Sequence, residues 1–382
     1  MNDALERALS PGCLVAIADG CGAPIGAGDL LGDAARRVGG VRLLLGWCLA
    51  PPVDFDDVAA YSEIRSIMSG YALRAPVRDG RVQYVPTRLG NVPRLVGGSL
   101  RPDVLVAALR PGRKGLVFGS EVAWMRAVVG SGVTVLAEVN RGLPDASDGT
   151  PVPDDQVVVI HETDRAPHEL VFNAPDDVAR AIGDHVAALI PEGATLQYGP
   201  GTVADAILRA IDIPVAIRSG LIGDAVVELD RRGLVAGDVR GGYLAGTGAL
   251  YEWADGRPIL DRVEITHDAH RLARHDLFVA VNTALEIDPV GQVNVERAGG
   301  NPVGGIGGHA DFALAATLSH GGLSVIALPS SHRGGPTLVE QLSAPVTTPR
   351  SDVDVVVTER GVADLRGRDD REREQALREL WG

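Results

Sequence analysis

"TLQYGPGTVADAILRAIDIPVAI" (195–217) sets the fold class. Thr195–Gly199 reads as a short buried strand, Pro200–Gly201 as its turn, Ala204–Ile211 as a helix and Ile213–Ile217 as a second strand. A helix joining two such strands is a crossover, and it makes the pair parallel. The next residues, "RSGLIGDAVVELD" (218–230), turn at Ser219–Gly220 and enter a further amphipathic helical stretch. The same alternation runs in both directions. CLVAIAD (13–19), VRLLLGW (41–47), DVLVAAL (103–109), VTVLAEV (133–139) and VVVI (157–160) read as strands, with helices over 28–38, 55–68 and 121–131. Beyond the crossover, FVAVNTALEID (278–288), LSVIALP (323–329) and VDVVVTE (353–359) are further strands, with a helix over 311–320. The last segment is a charged amphipathic helix that docks through Leu377, Leu380 and Trp381. Turn-rich surface at 140–156, and Asp176 or Asp177 placed to cap a helix, mark a new unit. The chain therefore reads as α/β, with domains over 1–172 and 173–382.

Composition agrees. Of 382 residues, 45% are hydrophobic and only 4% aromatic, so the core is aliphatic, as suits parallel sheets covered on both faces. Thirty-six basic residues against 50 acidic ones give a net charge of −14, which argues against nucleic acid or an anionic membrane as the main partner. No apolar run reaches the roughly 18–20 residues of a membrane helix, and the polar N-terminus does not resemble a signal peptide. Cys13, Cys21 and Cys48 form no CxxC pair and are expected to be buried, reduced thiols. A cytoplasmic protein is expected.

Common catalytic signatures are missing: there is no GxxxxGK[ST] and no GxSxG. THDAH (266–270) spaces His267 and His270 around Asp268, but surface or capping roles outweigh a metal site, and no metal is expected. Two glycine loops carry more. In YGPGTVADAIL (198–208) and NPVGGIGGHADF (301–312) the backbone amides before a helix suit anionic oxygens, although a tight turn needing positive φ explains a glycine equally well. VNTALEIDPVGQVN (281–294) puts Glu286 and Asp288 at an apolar strand end, where a carboxylate is either paired or chemically engaged.

Taken in order, these segments resemble the acetyl-CoA hydrolase/transferase family, the relatives of 4-hydroxybutyrate and acetate CoA-transferases. LAEVNRGLP (136–144), GPGTVADAIL (199–208), VNTALEIDPVGQVN (281–294), GIGGHADF (305–312), ALPSSHRGG (327–335) and VVVTERGVADLRG (355–367) are each similar to a family motif. The resemblance implies two open α/β domains of the CoA-transferase type with the active site between them. It implies coenzyme A as the substrate thioester, an acyl-CoA and a small carboxylate as partners, and a homodimer. It carries the oxyanion donor to Gly308, beside Gly307. The loop meeting CoA falls on Gly199, Pro200, Gly201, Thr202 and Val203, the second acidic position on Glu286, and a CoA-contacting lysine on Arg333.

The family's nucleophilic glutamate does not carry over. RSGLIGDAVVEL (218–229) aligns with the segment that holds it, and the glutamate falls on Gly220. The expectation is thus an acyl-CoA-processing enzyme, hydrolase-like, working without a glutamyl-CoA intermediate. Glu286 is then the candidate general base, Gly308 the oxyanion donor and Arg218 an electrophilic or carboxylate-binding group. The alternatives are a non-catalytic acyl-CoA-binding or partner subunit and, third, a CoA-transferase using another carboxylate.

Overall fold

The computed structural model describes residues 2–382. They form two compact units. The first holds the chain up to Leu170 together with Gly242–Glu264 and Pro302–Gly305; the second holds Val171–Gly241, Ile265–Asn301 and Ile306–Gly382. The two returning segments lie in the half that the sequence assigns to the second domain. They join the first unit because backbone and side-chain bonds hold them there. The Val122 amide donates to the Gly242 carbonyl (3.0 Å) and the Val263 amide to that of Ala123 (3.2 Å). The Ser69 hydroxyl donates to the Gly304 carbonyl.

The first unit is built on strands β1 (Leu14–Ile17), β2 (Val41–Leu45), β3 (Tyr61–Ser66), β4 (Gln83–Tyr84), β5 (Val104–Gly112), β6 (Gly115–Val117), β7 (Thr134–Asn140) and β8 (Val157–Thr163). Their order is β4-β3-β2-β1-β5-β7-β8, with β6 folded back on β5. All pairs along this path are parallel. The first six residues of β5 are buried without alternation, as a strand covered on both faces requires. The helix Gly28–Val38 buries Leu31, Ala34 and Ala35 into the aliphatic cluster of Val15, Leu43 and Val106.

The helix expected over 55–68 is instead a loop followed by β3. Asp57 accepts from the Ala60 amide and closes the turn before the strand. Tyr61, Ile64 and Ser66 are then buried along β3, which pairs with β2. Tertiary pairing overrides a helix-compatible composition here. Cys13, Cys21 and Cys48 are buried free thiols. No described helix is long and apolar enough to cross a membrane.

In the second unit the order is β10 (Ala216–Ile217), β9 (Thr195–Tyr198), then Phe278–Thr283, Leu323–Ala327, Val355–Thr358 and Gly361–Asp364. Only the last pairing is antiparallel. The chain steps outward from β9 to β10, then crosses to the other side of β9. A reversal of this kind, at the carboxyl ends of β9 and Phe278–Thr283, is the place where open α/β sheets meet ligands. The strand expected over 278–288 stops at Thr283, and Glu286–Ile287 turns into a hairpin with Val293–Asn294. Asp176 caps the helix Asp177–Ala187 through the Ala179 amide. A reciprocal capping box between Asp369 and Glu372 starts the final helix, Asp370–Trp381, which buries Leu377 and Leu380.

Two carboxyl groups that the sequence did not single out lie buried in the first unit. Asp19, just beyond β1, accepts from the Trp47 amide (3.0 Å), Trp124 Nε1 (3.0 Å) and the Tyr243 hydroxyl (3.3 Å). Burial outweighs those bonds and lifts its pKa to about 6. Burial likewise pushes Glu121 up to about 8, outweighing the influence of Ser120 and the amide bond from Gly22 at 3.2 Å. Between pH 4.5 and 8 the folded state therefore keeps a proton on Glu121 that the unfolded chain has released. Its contribution is fully present below pH 4.5 and is lost as pH rises through 8. Glu121→Gln should flatten the decline of unfolding free energy across that window and stabilise the protein above pH 8, on the order of a few kcal/mol. Urea titrations at several pH values check this, and parallel profiles for the two proteins would refute it.

Candidate active site at the carboxyl edge of the second sheet

Three chain segments reach the same edge of this sheet. Gly199, Pro200 and Gly201 follow β9. Gly201 holds φ +125°, a conformation that needs glycine, and precedes the helix Thr202–Ala210. The first amides of that helix, from Thr202 and Val203, have no partner within the helix itself. Beneath the turn, Gln197 and Asn282 exchange side-chain amide bonds of 3.2 Å, tying β9 to its neighbour. A β-carbon on Gly199 would meet Asn282 Oδ1 at an ordinary 3.8 Å, so space does not demand glycine there.

Beyond β10, Ser219 is buried and donates from Oγ to the Tyr198 carbonyl at 2.8 Å. Gly220 comes next and does not have a positive φ, so turn geometry does not explain it. Its surroundings do. A β-carbon at 220 would lie 3.0 Å from Nε2 and 3.3 Å from Cε1 of His267, and 3.5 Å from Phe312 Cε2. Gly308, at the start of the helix His309–Leu318, is tighter: its β-carbon would come within 2.6 Å of both His267 Cδ2 and Phe312 Cε2. The His267 ring is thus packed between two glycines and tilted against Phe312, with ring centroids 4.8 Å apart.

His267 is only 1% exposed. Its Nδ1 is 2.8 Å from the Thr266 hydroxyl, and its Nε2 is buried without a hydrogen-bond partner. Burial lowers its pKa to about 3, so the imidazole is neutral at any physiological pH. THDAH is therefore divided. Asp268 caps the short helix Ala269–Leu272 through the His270 and Arg271 amides, while His270 points to solvent. Among the described residues no group of three or more His, Cys, Asp or Glu side chains is placed to hold a metal ion.

The other sequence candidates make contacts of their own. Arg218 donates to the Asp238 carbonyl at 3.2 Å. Glu286 accepts from the Ser343 amide (2.9 Å), the Ser343 hydroxyl (2.7 Å) and Asn294 Nδ2 (3.0 Å). Partial burial raises its pKa, but these bonds prevail and hold it below the usual glutamate value. Asp288 closes its own loop, accepting from the Val290 and Gln292 amides and from Gln292 Nε2. Gly307, with φ +60°, shapes the approach to Gly308. Arg333 and Gly334, both at positive φ, form the exposed tip of the hairpin Ser331–Pro336. The sequence motif suggests His267 only as a metal ligand beside His270, because its other signal, an unpaired buried nitrogen beside two glycines, exists only in three dimensions.

Open parallel sheets with glycine loops at their carboxyl edges are a ligand-binding α/β architecture, and comparison with known proteins places it among the CoA-transferase folds. Residues 246–380 match the acetyl-CoA hydrolase/transferase C-terminal domain. The 4-hydroxybutyrate coenzyme A transferase of Clostridium kluyveri is 33% identical over 331 residues, spanning 82% of this chain and 77% of that protein. The succinyl-CoA:cyclohexane-1-carboxylate CoA transferase of Geobacter metallireducens is 30% identical over 364 residues, spanning 89% and 82%. The crystal structure of RipA from Yersinia pestis superposes with a TM-score of 0.88 at 25% identity, covering 100% of this chain and 96% of that one. The chain belongs to the acetyl-CoA hydrolase/transferase family of enzymes.

The packing around His267 sets an order of sensitivity. Gly308→Ala should cost about 2–3 kcal/mol and Gly220→Ala about 1 kcal/mol, since added carbons overpack a core in proportion to the overlap. Urea midpoints of the two variants measure this. Equal losses, or a larger loss at 220, would contradict the described contacts.

Proposed function

We propose that the protein hydrolyses acyl-CoA thioesters without a glutamyl-CoA intermediate. Gly220 carries the reading. In the double-displacement route a carboxylate attacks the thioester and is converted to a CoA thioester itself. At position 220 there is no side chain, and the groups facing its missing β-carbon belong to His267 and Phe312. Water is then the attacking group: its oxygen bonds to the thioester carbon, the C–S bond breaks, and the products are a carboxylic acid and the CoA thiol.

The remaining roles follow from position. The amides at Gly201, Thr202 and Val203 open a helix and suit the CoA phosphates, with Arg333 as a further cation for them. The Gly308 amide, presented by the turn at Gly307, faces the developing oxyanion. Glu286 is a poor base while three donors hold its carboxylate, so its role is to fix the Ser343 loop beside the hairpin. The names of the relatives favour transfer to a second carboxylate, as do the acyl-CoA and carboxylate substrates those names contain. On this scaffold that route would require Glu286 to leave Ser343 and Asn294.

Acyl-CoA incubated with the protein in ¹⁸O-water should release free CoA and acid carrying one solvent oxygen, with no acceptor added. Mass spectrometry after hydroxylamine or borohydride treatment should find no modified residue. A CoA adduct on Glu286, or CoA release only with an added carboxylate, would establish transferase chemistry instead. In calorimetric titrations with CoA, Arg333→Ala should weaken binding by about 1.5–3 kcal/mol, the usual worth of a hydrogen bond to a charged group. Unchanged affinity would remove Arg333 from the site.

A further inference from the structure

The geometry points to His267 as the group that polarises the thioester carbonyl, its neutral Nε2–H and the Gly308 amide together forming the oxyanion hole. This rests on the reading of the site as one that turns over acyl-CoA. Three observations converge. Nε2 is a buried polar atom with no partner, and an unsatisfied polar atom in a core is costly enough to call for an explanation. It lies beside the β-carbon positions of both Gly220 and Gly308, and each of these glycines is itself partly exposed, so neither flanking residue puts a side chain between the ring and the surface. The other ring nitrogen is committed to the Thr266 hydroxyl.

The direction of that last bond decides the chemistry. When the Thr266 hydroxyl donates to Nδ1, the ring proton sits on Nε2 and faces the site. A neutral imidazole then acts as a hydrogen-bond donor, a role for which a strongly lowered pKa is an asset, because the ring stays neutral. The same property makes it a poor general base at neutral pH. In the reaction, water adds to the carbonyl carbon and the C=O π electrons move to oxygen, where Nε2–H and the Gly308 N–H hold the charge. As C=O re-forms, the C–S bond breaks and sulfur leaves as thiolate, which takes up the proton released by the attacking water.

The requirement for glycine at both flanking positions follows. Any side chain at 308 would displace the ring, and any at 220 would cover its only free nitrogen. A glutamate placed at 220 would meet His267 before it met a substrate.

Two measurements on the full chain test this. Nitrogen NMR of ¹⁵N-histidine protein, with the His267 signals assigned by their loss in His267→Gln, should show a neutral Nε2–H tautomer from pH 5 to 8. A protonated Nδ1 with a bare Nε2 would overturn the inference without any catalytic assay. Glutamine places an N–H where Nε2 stands, so His267→Gln should keep acyl-CoA hydrolysis within about 10-fold of wild type. His267→Ala should lower kcat by about 10²–10³-fold with little change in KM, as loss of one oxyanion donor does. Glutamine as inactive as alanine would indicate a base or nucleophile and overturn the donor role. An active wild type with an unaffected His267→Ala would overturn this inference alone. A wild type that neither binds nor turns over any acyl-CoA would instead remove the proposed function, and this inference with it.

Discussion

The packing of the His267 ring between Gly220 and Gly308 is the constraint on which the candidate site depends. One aromatic contact to Phe312 and one bond to Thr266 fix the ring; a β-carbon at 308 would collide with it and one at 220 would crowd its Nε2. The position where the family resemblance places a nucleophile is thus more than an empty slot. The space next to it is filled by a different functional group, buried, neutral and pointing one nitrogen at the gap. The function we propose ties Gly220 and His267 together as one site that activates water in place of covalent capture.

Burial is the means by which both units set the charge of their polar groups. In the second unit it keeps His267 uncharged; in the first it favours the protonated forms of Asp19 and Glu121 at the end of an aliphatic sheet. Glu286 shows the opposite balance. Three donors outweigh its partial burial and hold its carboxylate below the usual glutamate value.

Most of the fold was legible from period and punctuation. The run 195–217, the aliphatic strands β5 and β7 and the capped final helix stand where alternation and capping residues place them, because each is decided locally. What failed was decided by distant partners. Tyr61–Ser66 pairs with β2 instead of coiling, Glu286–Ile287 leaves its strand to meet Val293–Asn294, and Gly242–Glu264 returns to the first unit. The glycine loops and the vacancy at 220 were visible as sequence, since glycine leaves an unambiguous mark. The place of Arg218 in the chain suggests a site residue, and its side chain donates to the Asp238 carbonyl. His267 was hidden for the converse reason: a short histidine motif says nothing about which nitrogen is left without a partner in the folded core.

The most direct test of the account is a crystal structure with an acyl-CoA analogue whose sulfur is replaced by methylene, leaving a ketone that cannot be hydrolysed. The ketone oxygen should lie at ~3 Å from both His267 Nε2 and the Gly308 amide nitrogen, ordinary hydrogen-bond distances, with Glu286 still bound to Ser343. A ketone oxygen directed away from His267, or a Glu286 carboxylate drawn up against the carbonyl carbon, would contradict it.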